Sequence, residues 1–211
     1  MAESKILAGE HEEARSICQT VSATAPQEQR AVALTTLAWS LFLEGEKEQA
    51  LQLLQQAIVL NPSSSRAHQR LGIVTWKSQT TLSVASFLQA AKLDPNEPTP
   101  FVYLGHYYTS TGQEERGKRC YQKALALDPL CEDAGSHLHD IFMKAKDAAG
   151  AKALLQRACA AGGPGRSAWA WLRIGAMQLK DEEFLDAVVS LQNALKGSQS
   201  VNPFRVKSNQ S

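Results

Sequence analysis

The chain has 211 residues, of which 44% are hydrophobic and 20% are charged, a composition typical of a globular protein with one or two domains. Its 22 basic and 21 acidic residues give a formal charge of +1, which excludes a strong overall attraction to nucleic acid or to an anionic membrane.

Neither a signal sequence nor a membrane span is predicted. The first residues, MAESKILAGEHEE, are acidic and contain no apolar signal core. The longest uncharged apolar stretch, residues 31–43, is shorter than the roughly 20 residues that span a bilayer. The four cysteines, at positions 18, 120, 131 and 159, form no C-x-x-C pair, which is typical of reduced thiols. We therefore expect a cytoplasmic or nuclear protein without membrane contact.

Three apolar segments of the chain end in the same way, with an Asn-Pro or Asp-Pro pair. They read IVLNP, AKLDP and LALDP, and their prolines, Pro62, Pro95 and Pro129, follow one another at intervals of 33 and 34 residues. Because a proline pushes the preceding residue out of the helical conformation, each pair predicts the end of a helix. An earlier proline, Pro26, is interpreted as the end of a partial first copy. A repeat of about 34 residues is the length of the tetratricopeptide repeat.

Small residues recur at fixed positions before each proline. Ala38 would lie in the first helix of its repeat and Ala50 and Ala57 in the second, where they would let two helices approach closely. Large apolar residues at spacings of three and four would share the buried face. The residues predicted to have a structural role in the repeats are Ala38, Ala50, Ala57, Gly72, Gly105, Tyr108, Tyr121, Ala124, Gly175, Ala187, Pro62, Pro95 and Pro129.

Several local features are predicted from the same alignment. Gly45 and Gly112 would occupy tight turns between paired helices, where a positive φ is needed. The repeat that ends at Pro95 is one residue short, and we place the missing residue in the loop around residues 77–81. About two extra residues would separate repeats in the segment PQEQR, residues 26–30. Ser167 would cap a helix that begins at Ala168.

The predicted fold is all-α, an α-α superhelix of about five and a half helix-turn-helix tetratricopeptide repeats. The array would cover residues 1–196, with repeats at about 1–28 (partial), 31–64, 65–97, 98–131, 132–165 and 168–196. Residues 197–211 would form an irregular polar tail. Since both ends depart from the repeat pattern, we expect a segment of a longer array or a truncated isoform.

Part of the chain resembles the large tetratricopeptide scaffold subunit of the superkiller complex. The resemblance runs from about residue 86 to residue 196, and its most specific parts are LGHYY at residues 104–108 and WAWLR at residues 169–173. It implies a non-enzymatic cytoplasmic scaffold that holds an RNA helicase and a WD-repeat subunit and supports 3′-to-5′ mRNA decay by the exosome. A generic peptide-binding adaptor in another multiprotein assembly is the alternative.

A concave groove is the default binding surface of such repeats. Side chains at four positions of each first helix would face it, and exposed aromatic residues are common anchors for partners. Packing between repeats is the competing interpretation of the same side chains. The candidate groove residues are Trp39, Phe42, Trp76, Val102, His106 and Thr109.

Other chemistry is not predicted. His137 and His139 are two residues apart on a helix and would point about 200° apart, so they cannot chelate a metal together. The segment AGGPGR lacks the ending of a phosphate-binding loop and reads as a helix break. A basic cluster, Arg116, Lys118, Arg119 and Lys123, reads as a solvated face, and direct RNA binding is not expected. We therefore predict no enzyme, catalytic residue, cofactor or metal site.

Overall fold

The computed structural model of the protein describes residues 16, 20 and 25–198. Over this range it contains ten α-helices and no strand, so the all-α prediction is confirmed. None of these helices has both the length and the apolar character needed to cross a membrane. In chain order they are α1 Gln27–Leu43, α2 Lys47–Leu60, α3 Ser65–Thr75, α4 Thr80–Leu93, α5 Thr99–Ser110, α6 Glu114–Leu127, α7 Glu132–Lys144, α8 Ala148–Gly162, α9 Ala168–Lys180 and α10 Phe184–Ser198. Most of the partial first repeat, and the tail from residue 199, lie outside the described residues.

The helices belong to two compact units, residues 1–104 and 105–211, and the boundary falls within α5. In the first unit α1 packs against α2 and α3 against α4, while α2 also contacts α3. In the second unit α7 packs against α8 and α9 against α10, while α6 contacts α7 and α8 contacts α9. Within each unit, helices that follow one another in sequence are therefore neighbours in space, as in a repeat protein.

Most of the residues predicted to have a structural role in the repeats lie in the cores of the two units. Ala38, Ala50 and Ala57 are 0% exposed, and Leu54 fills the space beside them. In the second unit Tyr121, Ala124 and Ala187 are likewise 0% exposed. Tyr108 differs, since it is only half-buried and its ring lies 4.3 Å from the Arg116 guanidinium carbon.

The three Asx-Pro endings share one turn geometry. Asn61, Asp94 and Asp128 are the C-cap residues of α2, α4 and α6, with ψ of 88°, 93° and 96°. In each turn the side-chain Oδ1 accepts a hydrogen bond from the backbone N–H two residues later, at 3.1, 3.0 and 3.0 Å. The following proline holds the cap residue out of the helix, and the side chain closes the Asx turn. Both residues of the pair thus help to end the helix.

Two glycines make room for aromatic rings of the paired helix. A Cβ at Gly72 would lie 2.7 Å from the ring of Phe87, and one at Gly105 would lie 2.5 Å from the ring of Tyr121. Both rings are fully buried. Carbon atoms cannot approach so closely, so these two helix pairs depend on a position without a side chain.

The short second repeat loses its residue in the loop between paired helices. Gly72 precedes the first residue of α4 by eight residues, whereas Ala38 and Gly105 precede α2 and α6 by nine. Since Gly72 and Gly105 face equivalent rings, the missing residue lies between Gly72 and Thr80, as predicted. The turns at Gly45 and Gly112 also have the expected positive φ, +96° and +77°.

Helix α1 begins earlier than the predicted repeat start at residue 31, whereas α9 begins at Ala168, as predicted. α1 begins at Gln27, directly after Pro26, so the residues placed between repeats form the first turn of a 17-residue helix. Pro26 is the N-cap residue of α1, and its carbonyl oxygen accepts the first helical hydrogen bond, from the N–H of Arg30 at 3.0 Å. Ser167 stands at the N-cap of α9, but its side chain makes no capping hydrogen bond. Its hydroxyl instead donates to the carbonyl oxygen of Gly163 at 3.3 Å, across the preceding turn.

Replacing Asp94 by alanine should lower the free energy of unfolding by about 1 kcal/mol, because one hydrogen bond contributes about that much. Asp94→Asn should retain most of the stability, since Asn61 makes the same turn. Urea denaturation of both variants would measure this difference. Equal losses for the two substitutions would show that the Asx turn has no part in stability.

Gly72→Ala should lower the free energy of unfolding by about 1–3 kcal/mol, the usual cost of overpacking a core. A loss of stability would be informative, because replacing glycine by alanine in the interior of a helix otherwise raises the free energy of unfolding by about 1 kcal/mol. In a Phe87→Leu background the same substitution should cost less, since the ring atoms that it meets are gone. A double-mutant cycle measured by thermal or urea denaturation would give the coupling, and a coupling of zero would exclude the steric explanation.

Candidate protein-binding surface

Trp39 and Phe42 lie on α1 and are held by contacts within the first unit. Their ring centroids are 5.3 Å apart, and the guanidinium carbon of Arg70 lies 5.3 Å from the Trp39 ring centroid. The same Arg70 donates a hydrogen bond from Nη1 to the carbonyl oxygen of Thr35 at 3.0 Å. α3 is thus joined to α1 by a cation–π contact and a hydrogen bond. Trp39 is half-buried, so only part of its ring is open to a partner.

Trp76 belongs to an aromatic cluster in the same unit. Its ring lies 5.2 Å from Tyr103 and 6.1 Å from Phe87, in edge-on orientations, and Phe87 stacks on Tyr103 at 4.6 Å. Such pairs contribute beyond the area that they bury. Trp76 therefore packs between repeats, which was the competing interpretation of this candidate, while its half-exposed surface leaves room for a partner.

Two apolar side chains of α1, Val32 and Leu43, are more than half exposed to solvent. Val32 is 56% exposed and lies seven residues before Trp39, which places the two residues on one side of the helix. Val59 on α2 is 78% exposed. The first unit therefore combines an accessible valine with a partly accessible tryptophan along one helix.

The remaining candidate groove residues are less accessible or already bonded. Val102 is 5% exposed, so a partner would not reach its side chain in this conformation. Thr109 donates its hydroxyl to the carbonyl oxygen of Gly105 at 2.9 Å. His106 is 20% exposed at its side chain and takes part in a polar network of the second unit. These three residues are better explained by packing and internal hydrogen bonding than by partner contact.

The network around His106 joins three helices of the second unit. The Nδ1 atom of His106 lies 2.8 Å from the hydroxyl of Tyr121, and its Nε2 atom lies 3.2 Å from Oδ2 of Asp133. Burial lowers the pKa of His106, although the neighbouring Asp133 carboxylate opposes this shift. Burial also raises the pKa of Tyr121 to about 12, so its hydroxyl stays protonated.

His137 and His139 do face different surroundings, as their spacing predicts. His137 is half-exposed, and its Nδ1 lies 3.2 Å from Oδ1 of Asp133. His139 is 12% exposed at its side chain, and its Nδ1 lies 3.3 Å from Asp140. Sequence reasoning missed the grouping of His106, Asp133 and His137, for which the only local signal was the spacing of four between Asp133 and His137.

Part of the basic cluster on α6 is used in packing. Arg116 lies over the ring of Tyr108 and donates to the side chain of Gln113 at 2.6 Å. The ammonium nitrogen of Lys118 lies 5.1 Å from the ring centroid of Phe142. Two of the four cations therefore already contact aromatic rings, which weakens the case for a phosphate-binding patch.

Comparison with known families decides what the helix pairs are. Two tetratricopeptide-repeat family models match the chain, one at residues 5–72 and the other at residues 103–129. The chain is a tetratricopeptide-repeat protein. A tetratricopeptide repeat is a helix-pair module that builds binding surfaces, which agrees with the prediction that the chain is not an enzyme.

The curated relatives are much longer than this chain. Superkiller complex protein 3 of Homo sapiens is 31% identical over 195 residues, which are 89% of this chain and 12% of the relative. The Mus musculus protein of the same name is 32% identical over 162 residues, covering 74% of this chain and 10% of its own length. Tetratricopeptide repeat protein 37 of Xenopus laevis is 35% identical over 150 residues, which are 68% of this chain and 10% of the relative. The tetratricopeptide chain thus corresponds to about a tenth of each relative.

Solved structures support the fold. The structure described as "Functional Characterization of Pseudomonas Aeruginosa pilF" has a TM-score of 0.67 at 19% identity, covering 81% of this chain and 78% of its own. "Crystal structure of MamA" has a TM-score of 0.59 at 16% identity, and the match covers 77% of this chain and 95% of the MamA chain. At these identities the likeness concerns the helix-pair fold alone.

Trp76→Ala should lower the free energy of unfolding by about 2 kcal/mol, somewhat less than the usual cost for a fully buried tryptophan. The expected cause is loss of the edge contacts to Phe87 and Tyr103. Trp76→Phe should recover part of this loss, because it keeps an aromatic ring. Thermal denaturation would measure both variants, and an alanine variant as stable as the unmodified chain would show that these ring contacts do not contribute to stability.

Proposed function

We propose that this chain is a segment of a protein scaffold in a superkiller-type assembly that supports cytoplasmic 3′-to-5′ mRNA decay by the exosome. The observation that carries the proposal is the similarity to Superkiller complex protein 3, which extends over 89% of the chain at 31% identity. A Schizosaccharomyces pombe protein named Superkiller protein 3 is 25% identical over 179 residues. The generic adaptor is less well supported, because three of the relatives, from Homo sapiens, Mus musculus and Schizosaccharomyces pombe, have superkiller names.

A scaffold role agrees with the chemistry of the described surface. The first unit offers an apolar strip on α1, Val32 with the open part of Trp39, which suits a helix or an extended peptide. The formal charge of +1 provides little attraction for phosphates. Partners would therefore be proteins, and the resemblance to the superkiller scaffold favours an RNA helicase and a WD-repeat subunit.

Recovery of these partners tests the proposal. The tagged chain, expressed in cells of its own source, should co-purify with the superkiller helicase or the WD-repeat subunit, detected by specific antibodies. If neither subunit is recovered with the unmodified chain, the superkiller assignment is wrong.

Val32→Asp should reduce the recovery of that partner at least tenfold, because a charge would be buried in an apolar contact. Val59→Asp is the matched control, since it places the same charge on a side chain that is even more exposed, 78% against 56%. Both variants should keep the stability of the unmodified chain, as exposed substitutions usually do. Equal recovery with the two variants would exclude α1 as the partner surface while leaving the scaffold role intact.

A further inference from the structure

Three potential metal ligands meet on the second unit, although the sequence predicted no metal site. They are His106 on α5 and Asp133 and His137 on α7, and one ligand atom from each lies within 4.8 Å of the others. Asp133 and His137 are four residues apart, so their side chains share one face of α7. His106 reaches this face from α5, 27 residues earlier in the chain.

The distances between ligand atoms suit a small divalent ion. Oδ2 of Asp133 lies 3.2 Å from Nε2 of His106, and Oδ1 of Asp133 lies 3.2 Å from Nδ1 of His137. Zinc binds imidazole nitrogen and carboxylate oxygen at about 2.0–2.2 Å, so tetrahedral ligand atoms are about 3.3–3.5 Å apart. The Nδ1 atom of His137 also lies 2.9 Å from the backbone carbonyl oxygen of Asp133, and a metal ion at Nδ1 would replace this hydrogen bond. Binding would therefore require loss of the Nδ1 proton together with side-chain rotations, but no change of helix position.

The surroundings of His106 orient its ring for such a role. The Tyr121 hydroxyl lies 2.8 Å from Nδ1 of His106 and is fixed because Tyr121 is fully buried. With Nδ1–H donating to this hydroxyl oxygen, the lone pair of Nε2 points toward Asp133. Metal-binding histidines usually have their second nitrogen hydrogen-bonded in this way, which sets the tautomer and the ring orientation.

The site is also open on one side. The side chains of His137 and Asp133 are 49% and 58% exposed. An ion could therefore reach them from solvent, and a water molecule could serve as the fourth ligand. Tyr121 and His137 line a pocket of about 200 Å³. Two imidazoles and one carboxylate favour zinc and its neighbours over magnesium and calcium, which prefer oxygen ligands.

We propose that His106, Asp133 and His137 bind a divalent transition-metal ion, zinc being the ion that these ligands suit best. The ion would link α5 to α7 and so join consecutive repeats of the second unit. This proposal does not depend on the superkiller assignment, because it rests on side chains of this chain alone.

Titration of the full chain with Zn²⁺ under reducing conditions tests the site by calorimetry. One equivalent of Zn²⁺ should bind, and Asp133→Asn and His137→Gln should each weaken binding at least tenfold. The matched control is His139→Gln, two residues along the same helix, whose histidine lies outside the cluster and which should keep the full affinity. Mg²⁺ should give no heat at the same concentrations. Binding that is unchanged in Asp133→Asn and His137→Gln would overturn the proposal.

Cysteine thiolates could bind Zn²⁺ elsewhere, so a second experiment separates the two sources. Substitution of all four cysteines by serine should leave the affinity unchanged, and loss of binding in this variant would refute the histidine site. Zn²⁺ should also raise the melting temperature of the unmodified chain, and EDTA should reverse this shift. His137→Gln should show no such shift, although circular dichroism should show the same helix content.

Discussion

The structure depends on close approach between helices at positions that lack a side chain. Gly72 faces the ring of Phe87, Gly105 faces Tyr121, and a Cβ at Gly135 would collide with the ring of Trp169. In each case a large ring occupies the volume that a glycine leaves free. Native interiors are packed as densely as organic crystals, so such a pairing leaves little freedom in the helix separation. At these three contacts the helix separation is therefore set by a glycine and a large ring.

The C-terminal ends of α2, α4 and α6, the second helices of their repeats, are also fixed in a common way. Each of α2, α4 and α6 ends at a leucine and is followed by an Asx cap and a proline, and all three caps share one backbone geometry and one hydrogen bond. Each of the three helices has 14 residues, so the second helix has the same length in these three repeats. Loss of one residue before α4 is absorbed in the loop, so the contact between Gly72 and Phe87 is retained.

The segments LGHYY and WAWLR are used mainly for packing. In LGHYY, Gly105 accommodates the ring of Tyr121, and His106 forms a hydrogen bond with the Tyr121 hydroxyl. In WAWLR, Trp169 is 5% exposed and covers Gly135, while Trp171 donates its indole N–H to the Gly163 carbonyl at 3.1 Å. Both segments therefore serve the internal packing of the second unit. Recognition of partners would rest on more exposed side chains, such as Val32.

The sequence by itself determined the helix pairs, their stops and their spacing, because these follow from local rules. A proline after Asx ends a helix wherever it stands, and small residues at a fixed interval mark where helices meet. The sequence could not decide whether Trp39 and Trp76 face a groove or their neighbours, because a position on a helix face does not identify what lies opposite. Tertiary structure decided this by placing Arg70 over Trp39, and Tyr103 beside Trp76. It also brought His106 to Asp133 and His137, a meeting across 27 residues that only the packing of α5 near α7 produces.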